Sequence, residues 1–184
     1  MKGYVVTLMN LPESVAVADR CKQSAKQFGV DVEIFPATYK DVALEELEKE
    51  GLKLSSWDES YSNVGAVVGN FITQYRIWET IVASGEPGIV LEHDAIFVDR
   101  IPSLIGKGDI INLGKPSYGN FLKKQSAGVY PMFSKTGGYI PGAHGYYLTV
   151  EGAKQLIART KQTGAAPCDM FLNNKTFPNI KEVY

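Results

Sequence analysis

The hydrophobic positions of the chain follow two periodicities that alternate along its length. Residues 2–9 and 30–35 are short, mostly apolar runs that predict buried strands. Between them, apolar side chains recur at helical spacing after Pro12, which suits the first turn of a helix, and Gly29 can end that helix. The chain therefore begins with the order strand, helix, strand.

The same alternation continues to the last residues. A short acidic helix is predicted at 42–50, and the clearest helix starts near Asn63 and carries a broad apolar face as far as Val82. Further elements are predicted as strands at 89–91, 108–114 and 180–184, a helix capped by Thr149, and a short helix at 167–172. Alternating strands and helices predict an α/β fold with a mostly parallel central sheet.

Residues 115–138 combine glycine, serine, lysine and aromatic residues without a stable period. We expect a flexible loop here, within a single domain that spans residues 1–184. Long loops in compact domains often serve as lids or binding loops. Lys123 in this segment is a candidate to close over a diphosphate, and a solvated surface lysine is the alternative.

Composition narrows the classes of protein. The 184 residues are enough for one domain, and 45% hydrophobic and 21% charged residues are ordinary for a globular chain. A net charge of −1 gives no basic field for nucleic acid. No apolar run approaches the roughly 20 residues that a transmembrane helix needs, and no signal peptide is recognisable at the start.

The two cysteines, Cys21 and Cys168, lie outside any C-x-x-C motif, so a cysteine zinc site is not expected. Two free thiols in a reducing compartment are the simpler interpretation, and a disulfide between them is the alternative. Together with the absence of a signal peptide, this predicts a cytoplasmic location.

The strongest candidate chemistry follows the apolar run at 89–91. Glu92 and Asp94 are two residues apart, so in an extended chain both side chains point to the same face. Paired carboxylates suit a hard cation such as Mg²⁺ or Mn²⁺, which keeps open positions for water or phosphates. A pair of solvated acids at the end of a strand is the alternative.

Motifs of several other enzyme classes are missing. The chain has no G-x-G-x-x-G after its first strand, which argues against a nicotinamide fingerprint. It has no G-x-S-x-G, so an ordinary α/β-hydrolase nucleophile is excluded. Only two histidines, His93 and His144, are present, so a histidine-rich metal site cannot form.

Several segments together resemble glycosyltransferase family 25, the lipopolysaccharide and collagen galactosyl- or glucosyltransferase group. The blocks that carry the resemblance are the first strand leading to Asn10, Thr73-Gln74 followed by Trp78, Leu91-Glu92-His93-Asp94, Gly142 to Ala153, and Pro167-Cys168-Asp169. They follow the order of the family and cover most of the chain. His93 stands where the family has a central aspartate, and Gln74 stands where it has a histidine.

The resemblance implies a GT-A-like, Rossmann-like α/β/α sandwich that moves galactose or glucose from a nucleoside diphosphate sugar, with UDP expected, to a glycan or another hydroxyl acceptor. It implies a role in lipopolysaccharide or other glycan synthesis, with Mn²⁺ or Mg²⁺ as cofactor and inversion at the sugar. Asn10, Glu92 and Lys123 would contact the donor. Asp94, Glu92 and His144 would bind the metal.

Asp169 is the candidate general base and His144 a second catalytic candidate, since glycines flank His144 and let a ligand approach closely. A helix cap is the alternative role for Asp169, and a structural turn histidine is the alternative for His144. Other functions stay open: a non-catalytic nucleotide-sugar or glycan-binding relative, a sugar nucleotidyltransferase, or a metal-dependent phosphohydrolase.

Overall fold

The structure is a computed structural model that describes residues 1–56, 63–114, 126–132, 140 and 143–184. The strands are β1 (Lys2–Thr7), β2 (Asp31–Pro36), β3 (Gly88–Glu92), β4 (Ile110–Asn112), β5 (Val129–Pro131), β6 (Gly145–Leu148) and β7 (Lys181–Val183). The helices are α1 (Pro12–Gln27), α2 (Ala43–Lys49), α3 (Val64–Ser84), α4 (Val150–Thr163) and α5 (Cys168–Phe171). The predicted α/β class is confirmed.

The strands form one sheet with the order β2-β1-β3-β6-β4-β7-β5. β1 pairs in parallel with β2 and β3, and β4 pairs in parallel with β7. β6 is antiparallel to both β3 and β4, and β5 is antiparallel to β7. Most of these strands therefore point one way, but the sheet is mixed because the antiparallel β6 lies at its centre.

Helices cover both faces of this sheet. On one face, alternate strand residues such as Tyr4, Val6 and Tyr146 pack in a core with α2, α3, α4 and α5. On the other face, Val5 and Tyr147 pack in a second core with α1. Because adjacent residues of a strand point to opposite faces, β1 and β6 contribute to both cores. Burial on both faces explains why these strands are almost entirely apolar.

The two longer helices of the larger core are held by caps at their ends. The Asn63 side chain accepts a hydrogen bond from the Ala66 amide at the start of α3, and Gly85 ends that helix with φ +71°. The Thr149 side chain accepts from the Gly152 amide at 3.0 Å, which confirms the predicted cap of α4. No helix among the described residues is long and apolar enough to cross a membrane.

Two strands were not expected from the sequence. β5 lies inside the segment 115–138, which was predicted to be a loop, and pairs with β7 at one edge of the sheet. The other described residues of that segment are 126–128 and 132, and the rest of it lies outside the described part of the chain. β6 begins at Gly145, in a segment for which no strand was predicted, and it joins the two halves of the sheet.

Candidate metal and ligand site

The candidate site lies where β3 ends. Glu92 is the last residue of β3, and Asp94 lies in the turn that follows instead of in the extended segment that the sequence suggested. β6 runs antiparallel to β3 with Gly145 opposite Leu91, so the residue before β6, His144, arrives beside Glu92. The Glu92 amide donates to the His144 carbonyl oxygen at 3.0 Å, which fixes the two backbones together.

Glu92, Asp94 and His144 each offer a ligand atom to one point in space. Their nearest donor atoms all lie within 4.8 Å of one another. The Nδ1 atom of His144 is 3.2 Å from the Glu92 carboxylate. The Glu92 side chain is 29% exposed, the His144 side chain is 49% exposed, and Asp94 is exposed, so the cluster opens to solvent on one side. Two carboxylates and an imidazole form a donor set that suits a divalent cation.

The electrostatics of this cluster favour a bound positive charge. Burial raises the pKa of Glu92, the charge and hydrogen bond of His144 lower it, and the negative charges of Asp94 and Asp169 raise it further. The negative charges of Asp94 and Asp169 therefore make ionisation of Glu92 less favourable when no cation is near. A divalent cation between these groups would offset that repulsion.

Asp169 lies in the first turn of α5 and not at its cap, because the N-cap is Pro167. Its carboxylate accepts from the Met170 amide at 2.9 Å. Burial raises the pKa of Asp169 above that of an ordinary aspartate. The negative charge of Asp169 contributes to the raised pKa of Glu92, although Asp169 belongs neither to the cluster of Glu92, Asp94 and His144 nor to the lining of the cavity.

A cavity of about 560 Å³ adjoins the cluster. Its walls include residues 92–94, Asn10 and Leu11 after β1, residues 37–41 after β2, and Asn70 on α3. The carboxyl ends of the three parallel strands β1, β2 and β3 thus converge on one hollow, which is where ligands bind in open α/β sheets. A hollow of this size suits a small organic ligand.

The structure places the residues predicted from the sequence as follows. Glu92 and Asp94 lie in the cavity wall and in the cluster, and Asn10 lies in the cavity wall with its backbone amide donating to the Tyr39 hydroxyl at 2.8 Å. His144 lies in the cluster. Lys123, the predicted diphosphate contact, lies outside the described residues.

Tyr39 and Asn70 are among the residues of the cavity wall that sequence reasoning missed. Tyr39 follows β2, and Asn70 lies on α3, where it was overlooked within an apolar helix. The available signal for Asn70 was its spacing of four residues from Gln74, which puts two amides on the same side of a helix. Arg76 of α3 forms ion pairs with Glu46 and Glu50.

Comparison with known proteins supports the resemblance read from the motifs. No family model matches the chain. A protein described as a glycosyltransferase 25 family member, from Aedes aegypti, is 24% identical to it over 185 residues. That alignment covers 92% of this chain and 30% of the relative, so the chain spans less than a third of the relative's length. The chain is therefore similar, along most of its length, to one part of a glycosyltransferase 25 family member.

Proposed function

We propose that this chain is a glycosyltransferase unit that binds a nucleoside diphosphate sugar in the cavity beside Glu92 and Asp94. The observation that carries the proposal is the meeting of Glu92, Asp94 and His144 at the rim of a cavity of about 560 Å³. The similarity to a glycosyltransferase 25 family member supports it independently. The fold would then be a GT-A-like variant of the α/β/α sandwich.

The three side chains fit a divalent cation. Asp94, the more exposed of the two acids, would be a direct ligand, and Glu92 and an imidazole nitrogen of His144 would be the other protein ligands. An imidazole among the donors suits Mn²⁺ better than Mg²⁺, which prefers oxygen ligands only. A cation held here would offset the negative charge of the diphosphate leaving group.

The protein itself orients the two substrates. Asn10 lies in the cavity wall and is a donor contact, as Lys123 would be from the segment outside the described residues. Asp169 is the general base that takes the proton of the acceptor hydroxyl, whose oxygen then attacks the sugar with inversion. Burial raises the pKa of Asp169, which makes its carboxylate a stronger base than a solvated aspartate.

On this proposal the donor is a UDP-sugar that carries galactose or glucose, and the acceptor is a hydroxyl of a glycan, as in lipopolysaccharide synthesis. The chain aligns with less than a third of the relative. The part of the relative that does not align therefore gives no support to this donor and acceptor, and the proposal depends on the cluster and the cavity of this chain.

The proposal is tested by incubating the protein with a panel of nucleoside diphosphate sugars, with Mn²⁺ or with a chelator, and measuring sugar release. We expect release that requires the metal and that disappears in Asp94→Ala. Asp99→Ala is the matched control, because Asp99 is also exposed but lies outside the cavity wall, where its side chain accepts a hydrogen bond from the adjacent Arg100 amide.

The same panel separates the other functions. Binding of a sugar nucleotide without release in the presence of an acceptor mixture would indicate a non-catalytic relative. Release of phosphate from simple phosphate esters would indicate a phosphohydrolase, and formation of a sugar nucleotide from a sugar phosphate and a nucleoside triphosphate would indicate a nucleotidyltransferase. Full metal-dependent activity in Asp94→Ala would reject the assignment of the site.

A further inference from the structure

A chain of side-chain hydrogen bonds runs from the larger core to the wall of the cavity. The indole nitrogen of Trp78 donates to the Tyr146 hydroxyl at 2.8 Å, and that hydroxyl donates to Oε1 of Gln74 at 2.6 Å. Nε2 of Gln74 then donates to Oδ1 of Asn70 at 3.2 Å. Trp78, Tyr146 and Gln74 are buried, whereas Asn70 is half-buried and lines the cavity.

The buried indole of Trp78 determines which atom donates and which accepts in each of these hydrogen bonds. An indole N–H can only donate, so the Tyr146 oxygen must accept from Trp78. The Tyr146 proton is then directed to Gln74, and the 2.6 Å separation is typical of an O–H···O bond and short for an N–H···O bond. The Gln74 amide is therefore oriented with its oxygen toward Tyr146 and its NH₂ group toward Asn70.

The orientation of Gln74 in turn orients Asn70. Because Gln74 donates, it must meet the oxygen of the Asn70 amide, and Nδ2 of Asn70 is left as the outer group. No described residue accepts a hydrogen bond from this nitrogen. Asn70 is half-buried and lines the cavity, so Nδ2 is the amide group of this wall residue that a ligand in the cavity could meet.

We propose that Asn70 is a specificity-determining residue whose Nδ2 donates a hydrogen bond to an acceptor oxygen of the bound nucleotide sugar. This inference depends on the proposed function, since it assumes that the cavity holds that donor. Trp78, Tyr146 and Gln74 act as positioning residues, because they prevent the Asn70 amide from turning its oxygen toward the ligand. A ligand that places a hydrogen-bond acceptor beside Asn70 is therefore favoured over one that places a hydrogen-bond donor there.

The test compares variants of Asn70 by calorimetric titration with UDP and with UDP-galactose in the presence of Mn²⁺. Asn70→Asp retains an oxygen for Gln74 and replaces the outward NH₂ group by an oxygen. Asn70→Ala removes the donor without adding charge. Asn63→Asp is the control for charge, because it adds the same carboxylate to the start of α3, where an aspartate can still accept from the Ala66 amide.

We expect both Asn70 variants to bind at least one probe about tenfold more weakly, as the loss of a hydrogen bond to a desolvated partner predicts. Asn63→Asp should bind as the wild type does. Weaker binding of both probes places the acceptor oxygen on the nucleotide, and weaker binding of UDP-galactose alone places it on the sugar. A thermal melt of each variant confirms that it is folded.

Wild-type affinity of Asn70→Ala for both probes would overturn the inference alone. A loss confined to Asn70→Asp would then reflect charge repulsion. Wild-type protein that binds neither probe would overturn the proposed donor, and with it this inference. The wild-type titration therefore distinguishes the failure of the function from the failure of the role of Asn70.

Discussion

Replacing Tyr146 by phenylalanine removes one oxygen atom from the middle of the buried hydrogen-bond chain. That oxygen accepts from the Trp78 indole and donates to Gln74, and the Tyr146 side chain has no exposed surface. The phenyl ring keeps the packing of the larger core. The substitution therefore isolates the contribution of these two hydrogen bonds to stability.

The expected loss follows from the two groups that the hydroxyl leaves behind. A buried donor or acceptor without a partner costs about 1–3 kcal/mol, and here the Trp78 N–H and the Gln74 oxygen are both affected. Partial rearrangement of the Gln74 amide lowers the sum, so we expect the free energy of unfolding to fall by about 2–4 kcal/mol. For a chain of this size, that corresponds to a decrease in Tm of about 4–16 °C.

Urea denaturation of the wild type, Tyr146→Phe and Tyr147→Phe measures this difference. Tyr147 is the matched control because it is also buried and lies next to Tyr146 on β6, but it faces the smaller core, and no described residue bonds to its hydroxyl. We expect Tyr147→Phe to change the free energy of unfolding by less than about 1 kcal/mol. Equal losses for the two variants, at unchanged denaturant slope, would refute the reasoning.

Three further results are expected. Gly152→Ala should lower the free energy of unfolding by about 1–3 kcal/mol or more, because the added Cβ would collide with the Asp109 carbonyl oxygen. An unchanged thermal melt would show that this contact relaxes. Asp169→Asn should lower turnover about 10²–10⁴-fold without weakening donor binding, and wild-type turnover in this variant would exclude Asp169 as the base. The wild-type rate should rise with pH through a midpoint above the ordinary aspartate pKa, because burial raises the pKa of Asp169 and a base must be deprotonated. Burial raises the pKa of Cys21 to about 11. Cys21 should therefore react slowly with a thiol reagent at pH 8 in the native protein and quickly in guanidinium. Rapid reaction of the native thiol would contradict its burial.

Helices of this protein could be predicted well because their signals are local. The apolar face of α3 begins directly after Asn63, and the structure shows that Asn63 caps this helix. Thr149 likewise caps α4 as its position before a helical pattern predicts. In both cases the residue that starts the helix bonds to an amide three positions later.

The missed strands depend on distant partners. All the residues of β6 are buried, so the strand shows no alternation of apolar and polar positions, and its neighbours β3 and β4 precede it by many residues. β5 has three residues and ends in Pro131, a residue that is tolerated at the edge of a sheet. Neither segment carries a local pattern that distinguishes a strand from a loop.

The candidate site likewise contains residues that are close in the sequence and residues that only the fold brings together. Glu92 and Asp94 could be paired from their spacing, because they are neighbours along the chain. His144 is 52 residues from Glu92, and only the antiparallel pairing of β3 with β6 brings them together. The sequence singled out His144 through its glycine-flanked turn and the family resemblance, but it could not reveal that Asn70 lies across the same cavity.

The most direct test of the central claim is a crystal of this protein soaked in Mn²⁺, with anomalous diffraction data collected to locate the ion. The account predicts an anomalous peak within coordinating distance of the Asp94 carboxylate, and bounded by Glu92 and His144, at the rim of the cavity. The peak should disappear in crystals of Asp94→Ala. A peak that lies elsewhere, or no peak in a crystal whose cluster is open to solvent, would contradict the claim that these three side chains hold the cation.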